Sequence, residues 1–433
     1  MSTSSQILRP RFLFDGETLH RNGRVVVEGD RILEAGPGHD DDSGNWPVAL
    51  IPGFVNAHSH AFQRGLRGKG ESFLSGAGSF FTWREAMYNL VEQLDPQLAY
   101  DLSRQAFEEM LDSGFTSVGE FHYIHHSANQ PWALDEAVIR AAADSGIRLV
   151  LLYADYVQGG FDQPLEGGQK RFDTGDPSEF LTRLDGIAEQ LQGPNQSLGV
   201  VGHSIRALPI ERMVMMREAA RSRSLVFHLH LEEVRAEIRD CEEAHGCTPM
   251  RLLLDHGVID ERTTAVHCTH STPEDLAGFA QAGGIVCLCP MTEGNLGDGI
   301  SDLPCMRKLG CRVTIGTDLN SRISPLEELR WMEYVQRLSG ELRGVNVHAQ
   351  GRTGPALMQS GSLSGAESLG IDAGLISKGR LADFTAIDLA HPTLRHVDSE
   401  DLLEAMVLGT GNEAVVGTCV GGRWLRGGPP EVQ

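Results

Sequence analysis

From about residue 50 to residue 320 the chain repeats one pattern: a segment with helical spacing of apolar positions, a Gly or small-residue stop, then a short apolar strand. Leu98, Leu102, Ala106 and Met110 recur at i+4 after Asp95-Pro96 and before Gly114, which predicts a helix with a start and a stop signal. Phe115-Thr-Ser-Val-Gly-Glu-Phe121 then reads as a strand. A second helix through Ala137 to Asp144 stops at Gly146 and leads into the strand Ile147–Tyr153. The same reading gives strands at Leu198–His203, Leu225–His230, Thr264–His267, Ile285–Cys289 and Arg312–Asp318. With the run from Ile51 to His58 and His60, that makes eight. Apolar strands alternating with helices predict a parallel sheet covered on both faces. Eight such units predict an α/β fold, a (β/α)8 barrel over residues 51–375, with its chemistry at the C-terminal strand ends.

The flanks follow another pattern. Residues 7–50 contain short alternating runs such as Arg24-Val-Val-Val-Glu-Gly-Asp-Arg-Ile-Leu-Glu34. Gly379-Arg-Leu-Ala-Asp-Phe-Thr-Ala-Ile-Asp-Leu389 and Cys419-Val-Gly-Gly-Arg-Trp-Leu425 resemble them. All read as short antiparallel strands, so residues 1–50 and 376–433 are expected to form a small β-sandwich together. Gly159 to Gly175 is Gly-rich and long enough for a lid or binding loop.

Composition narrows the function. Of 433 residues, 41% are hydrophobic and 22% charged, as in an ordinary globular protein. No apolar stretch reaches the roughly 18 residues of a membrane span, and the N-terminus has no secretory pattern, so a cytoplasmic location is expected. The eight cysteines lack CxxC spacing and read as free, buried thiols, five of them (Cys268, Cys287, Cys289, Cys305, Cys311) in or beside apolar runs. A net charge of −22 argues against nucleic acid and anionic membranes as partners. An acidic small-molecule substrate would need a local cation, which screening over about 8 Å permits. A homodimer is the default expectation for a soluble enzyme.

The expected strand ends decide the chemistry. They carry His58 and His60, then Glu120 with His122 and Tyr123, His203, His228 and His230, His267 and His270, Glu293, and Asp318. Residues i and i+2 of a strand share a face, so His58 and His60 can hold one metal ion from one side, neutral imidazole being its commonest protein ligand. Histidines satisfied within a core would scatter along the strands. Their concentration at one end predicts a metal site.

The HxH of the first strand, His on the fifth and sixth and Asp on the eighth resemble the amidohydrolase superfamily over nearly the whole chain. Gly-Arg-Leu-Ala-Asp-Phe384 is similar to the return to the sandwich in its deaminase branch. Asn56-Ala-His-Ser-His-Ala-Phe-Gln-Arg64, Trp83-Arg-Glu-Ala-Met-Tyr88, His203-Ser-Ile-Arg206 and Thr292-Glu-Gly-Asn-Leu-Gly-Asp298 are similar to the N-formimino-L-glutamate deiminases of histidine degradation. The resemblance implies one zinc ion held by His58, His60, His230 and Asp318. A second metal is not expected, because the fourth strand ends in His203 where binuclear members carry a modified lysine, and Lys170 lies in a loop. Three histidines and a carboxylate leave a position for water, whose pKa zinc lowers to about 7.

Asp318 would then accept the water's proton and His267 stabilise the tetrahedral intermediate. Glu233 would carry protons to the imino nitrogen and the departing ammonia, with Glu232 as its rival. Substrate contacts implied are Gln63, Tyr123, His203 and Arg206, the last because its planar fork pairs bidentately with carboxylate. Glu293 and Asp298 are assigned to shaping the loop or supporting the residues that react, not to direct catalysis. Two departures abut the pocket: Leu319-Asn320-Ser321 follows Asp318 where a small polar residue and often His is expected, and Leu231-Glu232 replaces a smaller, more neutral pair. The expected reaction is conversion of N-formimino-L-glutamate and water to N-formyl-L-glutamate and ammonia. The alternatives are a related formimino-amino acid, or an aminated purine, pterin or triazine. A non-catalytic scaffold on this fold would be expected to have lost ligands, and all four are present.

Overall fold

The computed structural model describes residues 5–39, 46–71 and 80–429. Residues 1–4, 40–45 and 430–433 of the expected sandwich segments, and 72–79 of the expected barrel segment, lie outside the described residues.

Phe54–Ser59, Phe115–His122, Arg148–Asp155, Gln196–Gly202, Phe227–Leu231, Thr263–His267, Ile285–Leu288 and Arg312–Ile315 form one sheet in chain order, each parallel to the next. Every residue of six of these strands is buried, which is why they read as continuous apolar runs rather than alternating ones. The helices between them bring their own end signals. Pro96–Asp112 is capped by Asp95, whose side chain accepts from the Leu98 amide, and Ala133–Ser145 ends on Gly146 at φ +84°.

The ring closes on a thin seam. The eighth strand leaves the sheet at Ile315, three residues before the expected Asp318, and meets the first only through the isolated bridge of Ser59 to Asp318. There the Asp318 amide donates to the His58 carbonyl at 3.0 Å and the His60 amide to the Asp318 carbonyl at 2.9 Å. Gly316 makes this approach possible, since a Cβ at that position would lie 2.7 Å from His58 Cβ.

Both flanks of the chain build the second unit. Gln6–Leu8, Gly23–Glu28 and Arg31–Pro37 form a three-stranded sheet. A six-stranded sheet runs in the order Arg423–Gly427, Val415–Val420, Phe384–Asp388, Trp46–Pro52, Pro10–Phe14, Leu19–Arg21. Leu13, Val25, Ile32, Leu50 and Phe384 are among the residues of their shared core. The expectation of antiparallel pairing throughout needs one correction: Pro10–Phe14 lies parallel to Trp46–Pro52. Leu19–Arg21, Gly23–Glu28 and Arg31–Pro37 lie between the two in the chain. Arg148 of the third barrel strand donates to both carboxylate oxygens of Asp383 at 2.9 and 3.0 Å, tying barrel to sandwich.

All eight cysteines are free. Cys247 and Cys305 depart from the expectation, both being half-buried, the latter on the short helix Leu303–Lys308. Among the described residues no helix is long and apolar enough to cross a membrane.

Candidate active site

The seam and the fifth strand bring together four of the expected residues. One ligand atom each from His58, His60, His230 and Asp318 lies within 4.8 Å of the others, and all four residues are buried. The hydrogen bonds around them fix where the lone pairs point. His60 Nδ1 lies 2.9 Å from the Phe121 carbonyl and His230 Nδ1 3.2 Å from the His203 carbonyl, so both must donate. Each Nε2 then carries a lone pair, and the two face one another at 3.3 Å. Asp318 Oδ1 stands 3.3 and 3.4 Å from Nε2 of His58 and His60. Neither ring nitrogen of the fully buried His58 has a hydrogen-bond partner.

Such converging, unsatisfied acceptors could hold a cation between them. Burial, with the neighbouring His58, pushes His60 down to about 3, and burial likewise lowers His58 and His230, keeping all three rings neutral and able to ligate. For Asp318 burial works the other way, but His58 and the rings of His267 and His60 hold it below the usual carboxylate range. The N3O donor set suits a zinc-like divalent ion.

Backbone strain concentrates at these strand ends. Glu232, His267, Cys268, Asp318 and Asn320 all have left-handed φ, between +47° and +74°. The consequence is clearest at Glu232 and Glu233. Glu232 is directed away from the pocket, accepting from the Met250 amide at 2.9 Å and the Ser271 hydroxyl at 2.5 Å. Glu233 points inward, 3.6 Å from His267 Nε2 and 3.7 Å from the Arg206 guanidinium. Burial raises the Glu233 pKa against the pull of His267 and Arg206. His267 would be neutral from burial alone, but Glu233, Glu293 and Asp318 lift it to about 10. Glu293 stands 3.5 Å from His267 Nδ1 and also accepts from the Cys289 amide at 3.1 Å.

Around this centre lies a pocket lined by His60, Gln63, Tyr123, His203, Arg206, His230, Glu233, His267 and Asp318 among others. All the expected substrate contacts reach it. Gln63 Nε2 donates to the Tyr123 hydroxyl at 3.0 Å, leaving Gln63 Oε1 buried without a partner. The His203 ring is held neutral by burial and the charge of Arg206.

Sequence reasoning missed Tyr156, Phe172 and Leu296, and assigned no role to Trp83, Arg84 or Tyr88, which line the same pocket. Phe172 is the contribution of the segment expected to be a lid or binding loop, where it follows the short turn Gly167–Arg171. The Trp83–Tyr88 motif on the helix Phe80–Gln93 was the available signal for the others.

Three strand-end histidines stand elsewhere. His122 faces outward, sharing Asp135 with His125 at 2.9 and 2.8 Å, because strand alternation gives the inward position to Phe121. His228 contacts the Ser368 carbonyl at 2.9 Å, and His270 the Asp298 carbonyl at 2.8 Å. Glu120, pushed up to about 8 by burial, accepts from the Ala61 amide at 2.7 Å and braces the HxH turn.

With this geometry in view, the chain compares closely with known proteins. The sequence pattern of the amidohydrolase family matches residues 49–425. A formimidoylglutamate deiminase of Pseudomonas aeruginosa is 35% identical over 414 residues, covering 94% of this chain and 91% of that protein. The crystal structure of an amidohydrolase from Brucella melitensis superposes with a TM-score of 0.90 at 32% identity, over 98% of this chain and 95% of that one. An adenosine deaminase of Xanthomonas campestris, solved with bound zinc, shares the fold with a TM-score of 0.80 at 20% identity, over 96% and 92% of the two chains. The chain belongs to the amidohydrolase family.

Proposed function

We propose that the protein is a zinc-dependent deiminase that hydrolyses N-formimino-L-glutamate to N-formyl-L-glutamate and ammonia. The observation that carries this reading is the Arg206 guanidinium in the same pocket as the His58, His60, His230 and Asp318 group, next to Glu233. A protein of net charge −22 offers an acidic substrate little attraction at long range. Arg206 supplies the local cation, and its fork pairs with a carboxylate on the substrate. The likeness to a formimidoylglutamate deiminase supports the same substrate.

When bound, zinc supplies a Lewis acid that lowers the pKa of a water molecule to about 7. The residues divide the remaining work. Asp318 takes a proton from the attacking water as its oxygen bonds to the formimino carbon. Glu233 protonates the imino nitrogen, takes the proton of the hydroxyl formed at that carbon and passes it to the departing amine, so that nitrogen leaves as ammonia and the first proton returns from Asp318 to Glu233. His267, cationic between Glu233 and Glu293, donates to the oxygen that becomes the formyl group. Gln63, Tyr123 and His203 shape the substrate's side of the pocket.

The aromatic wall of Trp83, Tyr88, Tyr123, Tyr156 and Phe172 favours one second reading, a planar aminated heterocycle. Ammonia release from formiminoglutamate, measured against a panel of aminopurines, pterins and triazines, separates the two. Turnover of formiminoglutamate alone is expected; its absence would sink the first reading.

A further inference from the structure

The barrel seam carries three of the four candidate metal ligands, yet has the weakest strand pairing. Every other neighbouring pair in the barrel sheet shares a ladder of at least two residue pairs, whereas the first and eighth strands share one bridge. Beside that bridge's two backbone hydrogen bonds, a further brace holds His58, His60 and Asp318 at ligating distance.

The departure at Leu319-Asn320-Ser321 supplies it. Asn320 is wholly buried and sits at φ +56°, directly after Asp318 and Leu319. Its amide nitrogen donates among three acceptors: the Ser59 hydroxyl at 3.1 Å, the His60 carbonyl at 3.1 Å and the Asp318 carbonyl at 3.0 Å. Its carbonyl oxygen accepts from the Thr317 hydroxyl at 2.6 Å. That hydroxyl accepts from the Asn56 amide at 2.7 Å, and the Asn56 oxygen accepts from the Thr317 amide at 3.0 Å.

One carboxamide therefore grips the backbone of His60 and Asp318 at once, and Thr317 and Asn56 brace it from the eighth and first strands. We propose that Asn320 is the positioning residue that clamps the barrel seam and sets the spacing of the metal ligands.

The left-handed backbone favours Gly, Asn or Asp. Asp would set a carboxylate against the His60 and Asp318 carbonyl oxygens, and Gly would keep the backbone but lose the clamp.

This inference depends on the metal reading of His58, His60, His230 and Asp318, and its test separates the two. Protein loaded with zinc is mixed with a chelator well below its unfolding transition, and metal release is timed spectroscopically. Asn320→Gly retains the backbone conformation and removes only the amide, so its zinc should leave roughly 10- to 100-fold faster, the usual cost of losing a partner that orients ligands. Asn22→Gly, a substitution at another left-handed Asn (φ +50°) in the sandwich, should release zinc at the wild-type rate.

Thr317→Val, which cuts one link of the brace, should accelerate release several-fold and serves if Asn320→Gly does not fold. Wild-type release rates in both seam variants, or equal acceleration in Asn22→Gly, would overturn the clamp. Retention of zinc by a His58→Ala, His60→Ala double variant would instead overturn the metal reading, and the clamp with it.

Discussion

The Arg206 guanidinium lies 3.7 Å from the Glu233 carboxylate, close enough to feel its charge and too far for a hydrogen bond. The two groups can therefore address different ends of one substrate. Arg206→Met should raise KM for formiminoglutamate roughly 10- to 100-fold, the loss of one charge-assisted contact, with zinc content unchanged. Steady-state kinetics beside metal analysis check it, and a KM within twofold of wild type would make Arg206 structural.

Glu233→Gln keeps the shape of the side chain and removes its proton traffic. The expected loss in kcat is about 10²- to 10⁴-fold, with metal retained. Glu232→Gln should act on stability instead, since it turns an amide towards the Met250 N–H or the Ser271 hydroxyl. A cost of about 1–3 kcal/mol in denaturant unfolding is expected, with kcat near wild type. Exchange of these two phenotypes would reverse the roles.

Glu237 gives a pH signature that is separate from catalysis. It is buried, both its oxygens lack hydrogen-bond partners, and burial pushes its carboxyl from the usual 4.5 up to about 7 despite the attraction of Arg206. Between these values the folded protein holds a proton that the unfolded chain has lost, so stability falls as pH rises through that window. Glu237→Gln should thus be more stable than wild type at pH 8, by about 3 kcal/mol at most. The difference should vanish near pH 4.5. Thermal unfolding at both pH values tests this, and a gain that does not depend on pH would refute it.

Arg148→Ala leaves Asp383 buried without its bidentate partner, although Gly421 still donates to it at 2.7 Å. A loss of about 3–5 kcal/mol is expected. Its signature is weakened docking of sandwich on barrel, visible as faster hydrogen exchange in both units.

Period and punctuation made the barrel readable. Strands buried on both faces are apolar throughout, and helices such as Pro96–Asp112 carry Asp-Pro and Gly signals at their ends. The candidate ligands were readable because i and i+2 share a face of a strand. Left-handed turns were not. They turn Glu232 out and Glu233 in, and no periodicity announces a backbone reversal at a non-glycine residue. Nor could strand ends alone separate His230 from His122, since one residue of alternation sends the latter to Asp135. Tyr156 and Phe172 come from loops, where position depends on packing rather than on spacing.

The strand Trp46–Pro52 runs through Gly53 into the segment bearing His58 and His60, and its sheet neighbours are Pro10–Phe14 and Phe384–Asp388. One neighbour is synthesised just before it, the other close to the end of the chain. At roughly 5–20 residues per second of translation, that edge stays open for on the order of tens of seconds. An open edge is a template for pairing with other chains. During synthesis, the stretch that leads to the candidate metal ligands is thus open to misassembly on one side, and its protection arrives with the C-terminal strands.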